Sequence, residues 1–406
     1  MTKKFLLLFF MVPFLSFSQT DDSYKVYWKN GLHVESPDKN FKISMGGRIQ
    51  YDVMMIQQDD TLNSYFKGLN GSEFRRARLY TKGTVYKNIK FKFQVDFAPG
   101  KVVIKDAYLQ LVKIPWVSNI RIGHFKEPFG MEMITSSNFI TMMERPLANQ
   151  FDFDRALGIM IYRSHLNHRL SWAAGYFHPD HNLGIYKGKQ YNLTARVFGT
   201  PLYETGAHYR VFHLGGGYSY QFYNDNPIIY RTRPEAHLAP KYIHLKIDKL
   251  KDLSSFKGEM ALVLGSFSLE GEYTQTNIQL PAESSFEQNR YHYFAYFTTV
   301  SWFLTGEHKN YNPSKGAFDR LSPKKNFGNG GPGAFEIALR YSNINLNDAD
   351  LKGGKMGNIT AGLNWYLNPA TKFAFNYIYS NASPVVEGRE VNGRAHIIQM
   401  RFQITF

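Results

Sequence analysis

The last eleven residues alternate. Ile398, Met400, Phe402, Ile404 and Phe406 fall on one side of an extended chain, and Gln399, Arg401, Gln403 and Thr405 fall on the other. Successive strand side chains point to opposite faces, so this stretch predicts a strand with an apolar medium on one side and a polar one on the other. The same period recurs from residue 41 onward. Phe41, Ile43, Met45, Ile49, Tyr51 and Val53 oppose Lys42, Ser44, Arg48, Gln50 and Asp52, and Phe91, Phe93, Val95 and Phe97 oppose Lys90, Lys92, Gln94 and Asp96. In the second half, Phe335, Ile337, Leu339 and Tyr341 oppose Glu336, Ala338, Arg340 and Ser342. Turn signals such as Asn368-Pro369 and Gly353-Gly354 separate the runs. Three stretches break the rhythm. Residues 21–40 read as a polar lead-in, 125–156 as a long loop after a short strand, and 306–332, rich in Gly, Pro, Asn and Lys, as a long external loop.

The N-terminus changes what this pattern means. Lys3 and Lys4 precede an apolar stretch from Phe5 to Phe17, and Ser16-Phe17-Ser18 supplies small residues for cleavage before Gln19. That is the anatomy of a secretory signal peptide over residues 1–18. No later segment approaches the ~20 consecutive apolar residues a spanning helix needs. Yet 43% of residues are hydrophobic and 16% aromatic, enough apolar surface for a membrane, but only in strand form. Lipid cannot satisfy backbone polar groups, so spanning strands must close into a barrel. The expectation is an all-β fold: a transmembrane antiparallel β-barrel of about sixteen strands over residues 41–406, after a lead-in at 19–40. A barrel of that size encloses an aqueous channel.

The chain has 48 Lys+Arg against 33 Asp+Glu, a net charge of +15, and no cysteine. Disulfides are excluded. In a soluble protein the charge would suggest a polyanion partner such as nucleic acid; on the polar face of a barrel it points to small anions instead, and no nucleic-acid partner is expected. Arg48, Lys90, Lys92 and Arg340 face the lumen by alternation, as do Arg76 and Arg78, with Phe74 and Tyr80 in the same register. Alternation puts Arg75 on the lipid side, so a snorkelling cation near the interface competes with a pore role for it. Arg231 and Arg233, two apart, form a further pair. Arginine suits the task, because its planar fork replaces an oxyanion's hydration with paired hydrogen bonds and it stays charged. His165 with His168, and His178 with His181, have loose metal spacing but no evident third ligand, so neither a metal nor a cofactor is expected. No nucleophile elbow, HExxH or Walker loop occurs, which argues against an enzyme.

Several motifs carry a resemblance. They are Gly47-Arg48-Ile49-Gln50-Tyr51-Asp52, Phe74-Arg75-Arg76-Ala77-Arg78-Leu79 and Ile122-Gly123-His124-Phe125-Lys126-Glu127-Pro128-Phe129-Gly130-Met131-Glu132. Met143-Glu144-Arg145 and Gly362-Leu363-Asn364-Trp365-Tyr366-Leu367-Asn368-Pro369 follow in order. Taken together, the chain resembles the phosphate-selective porin O and P family over essentially all of residues 41–406. The resemblance implies a sixteen-stranded porin in the outer membrane of a Gram-negative bacterium, a homotrimer, passing anions such as phosphate by diffusion. It implies that residues 125–156 fold into the lumen as the constriction. It also implies that Arg75, Arg76 and Arg78 belong to an arginine cluster, with Lys126 and Arg145 at matching loop positions. The strand ending at Phe406 would be read by the barrel-assembly machinery. Competing readings are a general diffusion porin with little phosphate selectivity, and a barrel enzyme or scaffold.

Overall fold

The computed structural model describes residues 23–406 apart from 99, 180–189 and 207. The leader expected over 1–18 and His181 lie outside the described residues. Among the described residues, sixteen long strands form the main sheet. They are β1 (Phe41–Gln58), β2 (Gly71–Val85), β3 (Ile89–Asp96), β4 (Val103–Ile114), β5 (Ser118–Lys126), β6 (Arg155–His165), β7 (Leu170–His178) and β8 (Tyr191–Glu204). The second half supplies β9 (Arg210–Thr232), β10 (Ile243–Leu264), β11 (Phe267–Gln279), β12 (Arg290–Phe303), β13 (Ala334–Asp348), β14 (Leu351–Asn368), β15 (Thr371–Ser383) and β16 (Gly393–Thr405). Each pairs antiparallel with the next, and β16 returns to β1 with Met400 opposite Val53 and Phe402 opposite Tyr51. Closure leaves no free edge, as lipid demands. The lead-in is more ordered than a polar tail: Lys25–Trp28 and Leu32–Glu35 form a hairpin whose second strand pairs with β1 from Lys42 to Met45.

Alternation holds along most strands. Ile49, Leu79, Phe93, Leu109, Val197, Leu339, Tyr341 and Phe373 are exposed on the outer face, whereas Gln50, Asp52, Gln94, Asp96, Glu336 and Ser342 are buried inside. Bulges break it in places, two of them in the β1–β4 ladders. In the β1–β2 ladder Gln50 pairs with Arg76 and Tyr51 with Phe74, which leaves Arg75 as the extra residue. A bulge inserts one unpaired residue and shifts the faces beyond it. Phe74 therefore turns out, 60% exposed and edge-on to Tyr51 at 5.4 Å, and Arg75 turns in. This reverses the lumen register expected for Phe74 and the lipid-side register expected for Arg75. In the β3–β4 ladder Gln94 pairs with Asp106 and Val95 with Ile104, so Lys105 is the extra residue.

Antiparallel order sorts the connections by end. Residues 86–88, 115–117, 166–169, 265–266 and 369–370 make short turns at the end that also holds Phe406. Short turns mark the periplasmic end of such barrels. Residues 304–333 lie at that same end, so they do not form the external loop the composition suggested. They fold inward: Tyr311–Asn312 pairs with Ala317–Phe318, Tyr311 and Phe318 pack with Met131, Val211 and Val263, and Lys309 meets Glu270 at 2.7 Å. From the opposite end, residues 233–242 also turn in. Ala236 and Ala239 join Leu147, Ala148 and Phe151 over inward-facing Leu245, Ile278, Tyr291, Ile344, Ile378 and Ile397, an apolar core that seals that side of the outer lumen. That alternation on β10–β16 is apolar on both faces near this end was not expected from the strand pattern.

Leu339 lies on the outer face between Val300 and Ala361. Leu339→Arg should cost about 2–4 kcal/mol, as for a cation placed on the lipid face near the midplane. Urea unfolding of the barrel in lipid measures it.

Candidate functional site

Residues 127–154 join β5 to β6 and pass along the inside of the barrel. Gly130 opens a single helical turn, Met131–Ile134, with φ +85. A Cβ there would sit 2.9 Å from the Lys257 Cδ and 3.0 Å from Glu272, so only glycine fits both the backbone and the space. The segment then binds lumen-facing strand residues one after another. Lys372 donates to the Ile140 carbonyl at 3.2 Å, Asn364 to Thr141 at 2.9 Å, and Arg401 to Met143. The Met143 N–H donates to Asn376 at 2.8 Å and the Leu147 N–H to Ser342 at 2.9 Å. Buried ion pairs hold its return: Lys257 lies between Asp152 and Glu272 with no solvent exposure.

Between this segment and the wall built by β1–β7 remains a cavity of about 1320 Å³. Arg48 reaches it from β1; Arg75, Arg76, Arg78 and Lys82 from β2; Lys90 and Lys92 from β3; Lys105 from β4; Arg121 and Lys126 from β5; Arg155 from β6. Arg145 and Ser136 line it from the inward segment, and Arg231 and Arg233 stand at its β9 rim. Many of these cations are matched. Arg78 meets Asp96 at 2.6 Å, Lys92 meets Asp106 at 2.5 Å, Arg155 meets Asp106 at 2.7 Å, and Arg75 grips Glu144 at 2.8 and 3.0 Å. Among the described residues, Arg48, Lys82, Lys90, Lys105, Arg121 and Lys126 have no carboxylate oxygen within 4 Å. Arg48 donates instead to the Ser137 hydroxyl at 2.7 Å and Lys126 to the carbonyls of Met133 and Thr135. The Arg121 guanidinium lies 4.5 Å from the Tyr108 ring and donates to Gln110.

Of the residues singled out by sequence, the fold gathers Arg48, Arg75, Arg76, Arg78, Lys90, Lys92, Lys126 and Arg145 around one cavity, with Arg231 and Arg233 at its edge. Arg340 is the exception. It is buried in the wall, bound to Glu235 at 2.5 Å and to the Glu144 carbonyl at 3.0 Å, and does not line the cavity. Alternation puts a side chain inside but does not say whether a loop covers it. Sequence reasoning passed over Lys82, Lys105, Arg121 and Arg155. Lys105 was out of reach because only the bulge turns it inward, whereas Arg121 was legible from the β5 alternation. The histidines with loose metal spacing gather no group of three or more candidate ligands among the described residues.

The Phosphate-selective porin O and P family profile matches residues 43–406. The chain belongs to that family. It is 26% identical to Porin O of Pseudomonas aeruginosa over 398 residues, spanning 88% of this chain and 87% of that protein. An uncharacterised Caulobacter vibrioides protein is 25% identical, over 94% of this chain and 77% of its own length. Among solved structures, the anion-selective porin of Comamonas acidovorans shares the fold with a TM-score of 0.55 at 13% identity, covering 90% of this chain and all of that one. OmpT of Vibrio cholerae also has a TM-score of 0.55, at 10% identity, over 90% of this chain and 98% of its own. This porin is therefore an outer-membrane channel protein with a preference for anions.

Glu127 follows β5 and sits buried without a cation. It accepts from Thr194 at 2.6 Å and Asn192 at 2.9 Å. Burial pushes its carboxyl up to about 7, against the two hydrogen bonds that favour the charged form. The folded state thus binds this proton more tightly than the unfolded chain, so its stability contribution is lost as pH rises from the usual carboxylate range through about 7. Glu127→Gln should flatten that fall, read as the urea midpoint at pH 5 and at pH 8.

Proposed function

We propose that this porin passes small oxyanions, inorganic phosphate among them, by passive diffusion, after export by the leader at residues 1–18 and assembly as a homotrimer. The observation that carries the reading is that Arg48, Lys82, Lys90, Lys105, Arg121 and Lys126, among other cations lining the cavity, have no carboxylate partner among the described residues. Fixed cations replace the hydration of an anion, and a row of them lets it pass from site to site. Arg48 combines charge with the neighbouring Ser137 hydroxyl of the inward segment, which still has a proton to donate, a pairing that suits a tetrahedral oxyanion better than chloride. The family to which the chain belongs, described as phosphate-selective, supports phosphate as the solute. The trimer form in which OmpT was solved supports the assembly only as a precedent within the fold.

A second reading has its own support. The pairing of Arg78 with Asp96 and of Lys92 and Arg155 with Asp106 removes much of the local charge, as in a general pore with mild anion preference. Planar-bilayer recordings separate the two. A reversal potential of anion sign, with chloride current blocked by low phosphate, is the expected result. The same sign without block would leave only the general pore. Arg48→Gln should raise the half-blocking phosphate concentration about tenfold, the loss of one charge-assisted hydrogen bond.

A further inference from the structure

We propose that Glu144 sets how strongly this channel holds a permeating anion, because its carboxylate occupies the seat between Arg75 and Arg76. The proposal rests on the anion-channel reading above and adds a residue that tunes it. The geometry is that of a bound ligand. Arg75 clasps both carboxylate oxygens, Nε to Oε1 at 2.8 Å and Nη2 to Oε2 at 3.0 Å. Arg401 donates to Oε1 at 2.7 Å, and Arg76 stands 3.7 Å from the same oxygen. A planar fork meeting a planar carboxylate two-to-two is the arrangement by which arginine recognises a free oxyanion. Here the oxyanion is part of the chain.

The carboxylate is not required to hold the inward segment in place. The backbone on both sides of it is already bound: Met143 N–H to Asn376, the Met143 carbonyl to Arg401, the Glu144 carbonyl to Arg340, and Leu147 N–H to Ser342. Arg401 also has its own partner in Asp52, at 2.6 and 2.7 Å. Arg75 reaches the lumen only through a bulge that sets aside the strand alternation. The chain thus brings in a cation against its register and then meets it with a carboxylate. Burial alone would raise that carboxyl, but Arg75, Arg76 and Arg401 outweigh it and hold Glu144 well below the usual carboxylate range, so it is charged at any physiological pH.

A tethered carboxylate competes at a high effective concentration. A phosphate arriving at Arg76 must displace it or share the site, and either way leaves quickly. Conduction needs binding that is favourable enough for an ion to come in and weak enough for it to leave. Glu144 supplies the second half of that condition.

The test is phosphate block of chloride current through single channels of the full-length, membrane-assembled protein. Glu144→Gln keeps the shape and removes the charge. It should lower the half-blocking phosphate concentration about tenfold and reduce chloride conductance, since the freed Arg75–Arg76 pair gains a charge-assisted contact. An unchanged or higher half-block would overturn the proposal. Glu144→Ala is the second variant should the first not assemble: it removes the same charge and should lower the half-block by a similar factor, whereas an unchanged or higher value would overturn the proposal. Failure of the underlying reading looks different: wild-type channels would show a reversal potential of cation sign, whatever the variants do.

Discussion

Lipid offers no hydrogen bonds, and that one constraint orders the rest of this molecule. Every backbone N–H and C=O between the two interfaces must find a partner in another strand, and the sheet must meet itself, as β16 does with β1. Closure gives each strand one apolar and one enclosed face. The enclosed face of a sixteen-stranded barrel is too wide for side chains alone to fill. Connections fill much of it instead, among them residues 127–154 and 233–242 from one end and 304–333 from the other.

Bringing loops inside creates a second problem. Strand residues that would have stood in channel water become buried, and a buried charge without a partner is costly. The ion pairs follow from this. Lys257 sits between Asp152 and Glu272, Arg196 against Glu259, Arg340 against Glu235, and Arg401 against Asp52, all with little or no exposure. Near the outer end of β10–β16 the inward side chains become apolar instead, among them Leu245, Ile344 and Ile378. Between the β1–β7 wall and the inward segment a cavity of about 1320 Å³ remains, lined by the cations of that wall.

Two of the bulges on this wall have a common consequence. Each adds one residue to a strand, and in each case that residue is a cation, Arg75 or Lys105, which the extra residue turns toward the cavity. A regular strand can offer the lumen only every second side chain. A bulge lets neighbouring positions, Arg75 and Arg76, reach the same space. The density of positive charge around the cavity therefore depends on irregularity in the strands, while Asp96, Asp106 and Glu144 restrain it.

The amino-acid order by itself determined the barrel, its extent from residue 41 to 406 and the inward set of Arg48, Arg76, Arg78 and Lys92, because those follow from a two-residue period that is written locally. The family motifs also marked Lys126 and Arg145. What tertiary structure alone decided lies wherever that period fails or a distant segment intervenes. Arg75 and Phe74 exchange faces because of a bulge whose extra residue shows only in the pairing of two strands. Arg340 has the alternation of a pore residue, yet Glu235, more than a hundred positions away, takes it up. Residues 304–333 have the composition of an exposed loop but occupy the interior, since the apolar surface that Tyr311 and Phe318 bury is assembled only once β9, β10 and the inward segment stand together. Alternation is a property of single strands, whereas the partner of a buried charge is set by which segments the closed barrel brings face to face.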